Sequence, residues 1–113
     1  LITHPKQYEL NSNITKGVPV SYNQDEALKD ADFVYAKNWS NYHDYGKIVS
    51  EDENWMLTNE KLGNAKFMHC LPVRRNVVVE DAVLDGENSL VIEQANNRTY
   101  AAQIVLKNIL KTL

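Results

Sequence analysis

Ala65-Lys66-Phe67-Met68-His69-Cys70-Leu71-Pro72-Val73-Arg74-Arg75-Asn76 runs from a short apolar stretch straight into a loop that holds an imidazole, a thiol, an X-Pro bond and two guanidinium groups. The apolar part reads as the end of a buried strand. In an open α/β sheet, ligands bind just beyond the carboxyl ends of strands. The chemistry therefore stands where such a fold places a ligand. Two adjacent cations there suit an anionic substrate, because guanidinium forks match carboxylate and phosphate oxygens.

Working outward, Phe67–Cys70 is predicted as a strand and Val79–Leu84 as a short helix closed near Gly86. Leu90-Val91-Ile92 is read as the last strand. Ala102, Val105, Leu106, Ile109, Leu110 and Leu113 then recur at helical spacing and form one apolar stripe, which we expect to face the core. Upstream, Trp55–Leu62 suggests a short helix. Lys37–Glu53 is a long, polar, aromatic loop, of a length more often functional than idle. Phe33-Val34-Tyr35-Ala36 reads as a buried strand. Asn23 is a helix N-cap with Glu26 three positions on, opening a helix to about Asp30. Its apolar side holds Ala27, Leu28 and Ala31. Val18–Tyr22 and Leu1–Thr3 are further strands, and Asn11–Gly17 is a loop with room for one helical turn. Strands that alternate with helices imply a parallel sheet covered by helices. Their short apolar runs suit burial on both faces. The expected class is α/β, a Rossmann-like three-layer fold with a parallel sheet of about four to five short strands.

The composition bounds the function. The 113 residues make one domain or a piece of one, and 43% apolar residues suffice for a core. Fifteen acidic against twelve basic residues, net −3, argue against a nucleic-acid or membrane-surface protein. The apolar runs fall short of the ~20 residues that span a bilayer. The single Cys70 excludes an internal disulfide and suits a reducing cytoplasm. No Cys/His spacing suggests zinc, and His4, His43 and Asp44 do not make a convincing metal site. The chain opens on Leu1-Ile2-Thr3-His4-Pro5, inside an apolar run and without Met. We read it as the C-terminal piece of a longer protein.

His69-Cys70-Leu71-Pro72 with Arg74-Arg75, followed by Glu93-Gln94-Ala95-Asn96-Asn97-Arg98, resembles the transcarbamylase family. Thr3-His4-Pro5 with Tyr8-Glu9-Leu10, Ala31 through Trp39, and Asp81-Ala82-Val83 support the match, which covers nearly the whole chain. Within the family, the resemblance is to the C-terminal, ornithine-binding-type domain of the enzymes that act on N-acetylornithine or N-succinylornithine. It implies that residues 1–113 are that domain without its first strand and helix. It also implies that the N-terminal domain, which binds carbamoyl phosphate through a Ser-Thr-Arg-Thr type loop, lies outside this chain. The implied activity moves the carbamoyl group of carbamoyl phosphate to the side-chain amine of an acylated ornithine, in arginine biosynthesis. The implied assembly is a cytoplasmic homotrimer that needs no cofactor, with active sites between subunits.

The resemblance also assigns roles. Cys70 and Leu71 match positions whose backbone carbonyls accept hydrogen bonds from the carbamoyl NH2. Arg98 matches an arginine that contacts carbamoyl phosphate. Lys37 and Arg74 match positions that bind the acylated ornithine. Enzymes that take free ornithine carry an aspartate and a Ser-Met-Gly element to grip the α-amino group, whereas Lys37 and Asn38 stand in that region here and suit a capped amine. Val78 stands where some acetylornithine enzymes carry lysine and the succinyl type is apolar, which favours succinylornithine. The X-Pro bond at Pro72 is expected to be cis, as at tight turns beside ligands.

Plainer readings stand beside these. His69 could be a satisfied core histidine. A Cys–His nucleophilic pair is disfavoured, because adjacent strand residues point to opposite faces. Arg75 could be structural. Trp39, Tyr42 and Tyr45 could be packing residues. Arg98, read as opening a helix, would be disfavoured there by the dipole unless an anion faced it. At the level of function, the alternatives are a non-catalytic α/β ligand-binding or regulatory module and a nucleotide-binding Rossmann domain. The lack of a GxGxxG motif counts against the latter.

Overall fold

The computed structural model describes residues 1–41, 43–47 and 53–112. Its centre is the pair β3 (Phe33–Ala36) and β4 (Lys66–His69), which run parallel with Phe33 opposite Lys66 and Ala36 opposite His69. Phe67 is the hub. It is 0% exposed and packs with Leu57, Leu62, Ala65, Val79, Val83, Leu84 and Val91. Its own backbone bonds outward on the far side, accepting from Leu90 N at 2.8 Å and donating to Asn88 O at 2.8 Å. A second parallel pair joins β1 (Ile2–Thr3) and β2 (Val20–Ser21). The α/β class with short parallel strands stands as expected. The four described strands form two separate pairs rather than one continuous sheet.

Short helices connect these strands, and side chains cap several of them. Asn23 caps α2 (Gln24–Leu28), accepting from the Glu26 amide at 3.2 Å, as its sequence position predicts. Asn11 caps the single turn of α1 (Ser12–Thr15). Thr58 accepts from Lys61 N at the start of α3 (Asn59–Leu62), while the Glu80 carboxylate takes the Asn59 amide at 2.8 Å. These bonds satisfy amide donors that a helix start leaves unpaired. The helix expected over Val79–Leu84 is α4 (Asp81–Leu84), whose buried Val83 and Leu84 join the core.

Three expectations are corrected. Leu90-Val91-Ile92 is not a strand: Leu90 is the N-cap of α5 (Val91–Leu110), and its carbonyl accepts the Gln94 amide at 2.9 Å. What remains of a strand is an isolated bridge between Phe67 and Ser89. β3 is not buried on both faces, since Phe33 and Tyr35 are exposed while Val34 and Ala36 pack inward. The stripe of α5 is not core. Val105, Leu106, Ile109 and Leu110 are all more than half exposed, and Ala102 is exposed too, while Leu113 lies outside the described residues. α5 docks by its first turns on β4, through buried Val91, and its remainder projects. The radius of gyration, 16.4 Å, exceeds the ~13 Å of a compact chain of this length for that reason.

This predicts that Leu106→Glu will change the stability of this chain by no more than about 0.5 kcal/mol, as for a surface position. Urea unfolding of both forms checks it. A loss of 2 kcal/mol or more, the scale of a core truncation, would show that the stripe is covered.

Candidate functional site

The parallel register builds the site. Because Ala36 faces His69, the next residues, Lys37 and Cys70, leave their strands side by side on the face opposite the core. Lys37 Nζ stands 3.0 Å from Cys70 Sγ. That contact holds the thiol below its ordinary value and the ammonium above its own. Both groups are exposed at the carboxyl end of β4, where a ligand can reach them.

His69 lies beneath, 1% exposed. Its Nδ1 accepts the Leu71 amide at 2.9 Å, so the ring carries its proton on Nε2. Burial, and then the Lys37 charge, push its pKa below 6.5. His69 is thus a core histidine that supports the loop from below, and Cys70 points away from it, which removes the Cys–His pair. A pH dependence follows. The unfolded chain binds a proton at His69 more readily than the folded one, so the stability present above about pH 6.5 is lost as pH falls from there through the lower folded pKa. Denaturant midpoints between pH 7 and 5 should fall in the wild type and show a flatter slope in His69→Gln. Equal slopes would contradict the assignment.

Leu71 follows with φ of 53°, and the Leu71–Pro72 bond is cis. Asn38 reaches across from the end of β3 to this loop. Its Nδ2 donates to Pro72 O at 2.8 Å, and its Oδ1 accepts the Arg74 amide at 3.1 Å. The Arg74 carbonyl then accepts the Val77 and Val78 amides and closes a tight turn, in which Asn76 has φ of 55°. The Arg74 side chain makes no ion pair among the described residues.

The neighbouring Arg75 is occupied. Its Nη1 lies 2.7 Å from Asp81 Oδ1 and 2.7 Å from Asp85 Oδ2, and its Nη2 lies 2.8 Å from Asp85 Oδ1. Asn76 and Asp81 bond each other reciprocally at 2.9 and 3.0 Å. The guanidinium holds both carboxyls below their usual range. Arg75 therefore ties the loop to α4, the structural alternative of its two readings. Between them, Leu71, Arg75, Ser89 and Glu93 line part of a groove of about 430 Å³ that leads to the start of α5.

The structure thus brings Lys37, Cys70, Leu71 and the Arg74 backbone into one cluster. It does not bring in Arg98. Arg98 is exposed on α5, where it lines a separate groove with Thr99, Gln103 and Leu106. It does not open the helix. α5 starts at Val91, roughly 10 Å earlier along the axis. Arg98 therefore lies beyond the reach of the helix dipole, whose field fades within the first turn. Trp39 stacks obliquely near buried Tyr8, with centroids 6.2 Å apart, a packing role. Tyr45 is exposed, and Tyr42 lies outside the described residues, as do positions 48–52 of the long loop. Sequence reasoning missed the role of the Asn38 side chain and the Lys37–Cys70 contact. The strand register, once written out, would have revealed the contact. No group of three metal-ligating side chains occurs among the described residues, and no described helix is long and apolar enough to cross a membrane.

Comparison with known proteins defines the class. Residues 3–109 match the aspartate/ornithine carbamoyltransferase family, at its Asp/Orn binding domain. The chain belongs to that family. The N-succinylornithine carbamoyltransferase of Bacteroides fragilis is 46% identical over the whole chain, which spans 37% of that relative's length. The N-acetylornithine carbamoyltransferase of Xylella fastidiosa is 35% identical over 77% of the chain and 29% of its own length. Among solved structures, an N-acetyl-L-ornithine transcarbamylase mutant complexed with carbamyl phosphate and N-succinyl-L-norvaline superposes with a TM-score of 0.69 at 31% identity, covering 86% of this chain and 36% of that one. The ornithine carbamoyltransferase of Burkholderia thailandensis superposes with a TM-score of 0.74 at 26% identity, covering 93% and 36%.

Proposed function

We propose that residues 1–113 form the amino-acid-binding domain of a carbamoyltransferase that takes an N-acylated ornithine, N-succinylornithine in preference to N-acetylornithine. The observation that carries this reading is the Lys37 ammonium seated on Cys70 at the mouth of the loop. By the family resemblance, this cation belongs to the region where enzymes for free ornithine carry an aspartate, which supports a capped amine as substrate.

In the reaction the side-chain amine attacks the carbonyl carbon of carbamoyl phosphate and phosphate leaves. Charge develops on the carbonyl oxygen and on the departing phosphate, and fixed donors stabilise it without reorganising. The Cys70 and Leu71 carbonyls accept from the carbamoyl NH2 and orient its carbon. Arg98 neutralises the phosphate from α5 once the rest of the protein brings the two together. Lys37 and Arg74 bind the carboxylates of the acylated ornithine. Holding both reactants in line supplies much of the rate, and no covalent nucleophile is needed. On this reading the whole protein is a cytoplasmic homotrimer of arginine biosynthesis.

The succinyl preference rests on charge and on packing. Succinylornithine has a second carboxylate, which gives the second cation a partner. Val78 is 3% exposed, so this position is filled by an apolar side chain in the core. The higher identity to the succinylornithine relative supports the same choice. The full-length protein, given carbamoyl phosphate and N-succinylornithine, should release phosphate and form N-succinylcitrulline. Absence of product would overturn the proposal.

A further inference from the structure

We infer that Asn38 is a positioning residue for carbamoyl transfer, its side-chain amide holding the loop Leu71–Arg74 in its substrate-binding shape. The inference rests on the function proposed above and adds to it a residue that touches no reacting atom.

The loop carries the groups assigned to the substrates, yet it belongs to no helix or strand. Leu71 sits in the left-handed region that a branched side chain seldom adopts, so surrounding contacts must hold it there. Two ties do so. On the core side, His69 Nδ1 accepts the Leu71 amide. On the outer side, Asn38 uses both halves of its amide, donating to Pro72 O at 2.8 Å and accepting from Arg74 N at 3.1 Å. Both partners are backbone atoms, so Asn38 fixes the course of the chain whatever side chains the loop bears. The two ties bracket the Leu71 carbonyl and set where the Arg74 side chain departs. Consecutive residues after β3 thus divide the work: Lys37 meets Cys70, and Asn38 holds the backbone that follows.

Only a group with a donor and an acceptor in a fixed fork can make both bonds. Alanine makes neither. An ionised aspartate keeps the bond from Arg74 N but turns a lone pair toward Pro72 O, whereas a protonated aspartate regains the donor. This gives a pH readout that packing alone would not produce. The charged and titratable groups on and against the two tied segments are Tyr35, Lys37, Tyr45, His69, Cys70, Arg74 and Arg75, and all are present in every variant compared.

The test measures kcat/KM for N-succinylornithine in the full-length protein, for wild type, Asn38→Ala and Asn38→Asp, from pH 8 to pH 5. Each variant is expressed as a ratio to wild type at the same pH. Asn38→Ala should fall ten- to a hundredfold with a flat ratio, as for a misplaced reactant. Asn38→Asp should be at least as low at pH 8 and recover severalfold by pH 5. Asn38→Ala within threefold of wild type would overturn the inference. So would an Asn38→Asp ratio that does not recover, and this variant decides the matter if the alanine form fails to fold. A wild type that makes no acylcitrulline would instead overturn the function on which the role rests, and the role with it. Amide exchange at Arg74 separates the two failures. The tie is intact if that amide is protected in wild type and exposed in Asn38→Ala.

Discussion

If Arg98 contacts the phosphate as proposed, Arg98→Ala in the full-length protein should lower kcat/KM by about a hundredfold to a thousandfold, the usual consequence of removing a donor aimed at developing charge. The same change should leave stability within about 0.5 kcal/mol, because Arg98 is exposed and makes no hydrogen bond or ion pair among the described residues. The two readouts together separate function from structure. A structural arginine would lose stability, and an idle one would lose nothing. Steady-state kinetics and thermal unfolding on the same preparation check both. Near-normal kinetics would leave the phosphate without its assigned partner on α5.

Phe67→Ala should have the largest effect on folding, a loss of about 3–5 kcal/mol. Phe67 is fully buried, pairs with Val34 through β3, and is bonded on its other side to Asn88 and Leu90. Removing the ring opens a cavity among Leu57, Val79, Val83 and Val91, residues drawn from separate segments that cannot all collapse inward. That loss is a large fraction of the 5–15 kcal/mol that stabilises an ordinary domain. A denaturant titration of wild type and variant would show it. A loss below 1 kcal/mol would mean that the core lies elsewhere.

The parts of this structure written in local chemistry were legible. Asn23 could be read as a cap because its side chain competes for a nearby amide, and the strands at Phe33 and Phe67 because they are short apolar runs beside turns. What depends on distant partners is not legible locally. Leu90-Val91-Ile92 fits a strand or a helix start equally well by periodicity. The bonds of Phe67 to Asn88 and Leu90 leave only a one-residue bridge before the chain turns helical. The stripe of α5 is legible as apolar but not as exposed, because amphipathicity states which face needs cover and not whether this chain supplies it. In the site, residue types were legible from the motif. The Lys37–Cys70 contact needed the pairing register across 33 positions. The Asn38 clamp needed the loop geometry itself, since an asparagine beside a lysine carries no signal of its own.

The proposed function is tested most directly by giving the full-length protein carbamoyl phosphate and, in separate assays, N-succinylornithine, N-acetylornithine and free ornithine, and comparing kcat/KM for the three amines. The highest value is expected for N-succinylornithine, a lower one for N-acetylornithine and the least for free ornithine, because in the proposed role Lys37 would meet a free α-amino group with like charge. Free ornithine as the best substrate would contradict it.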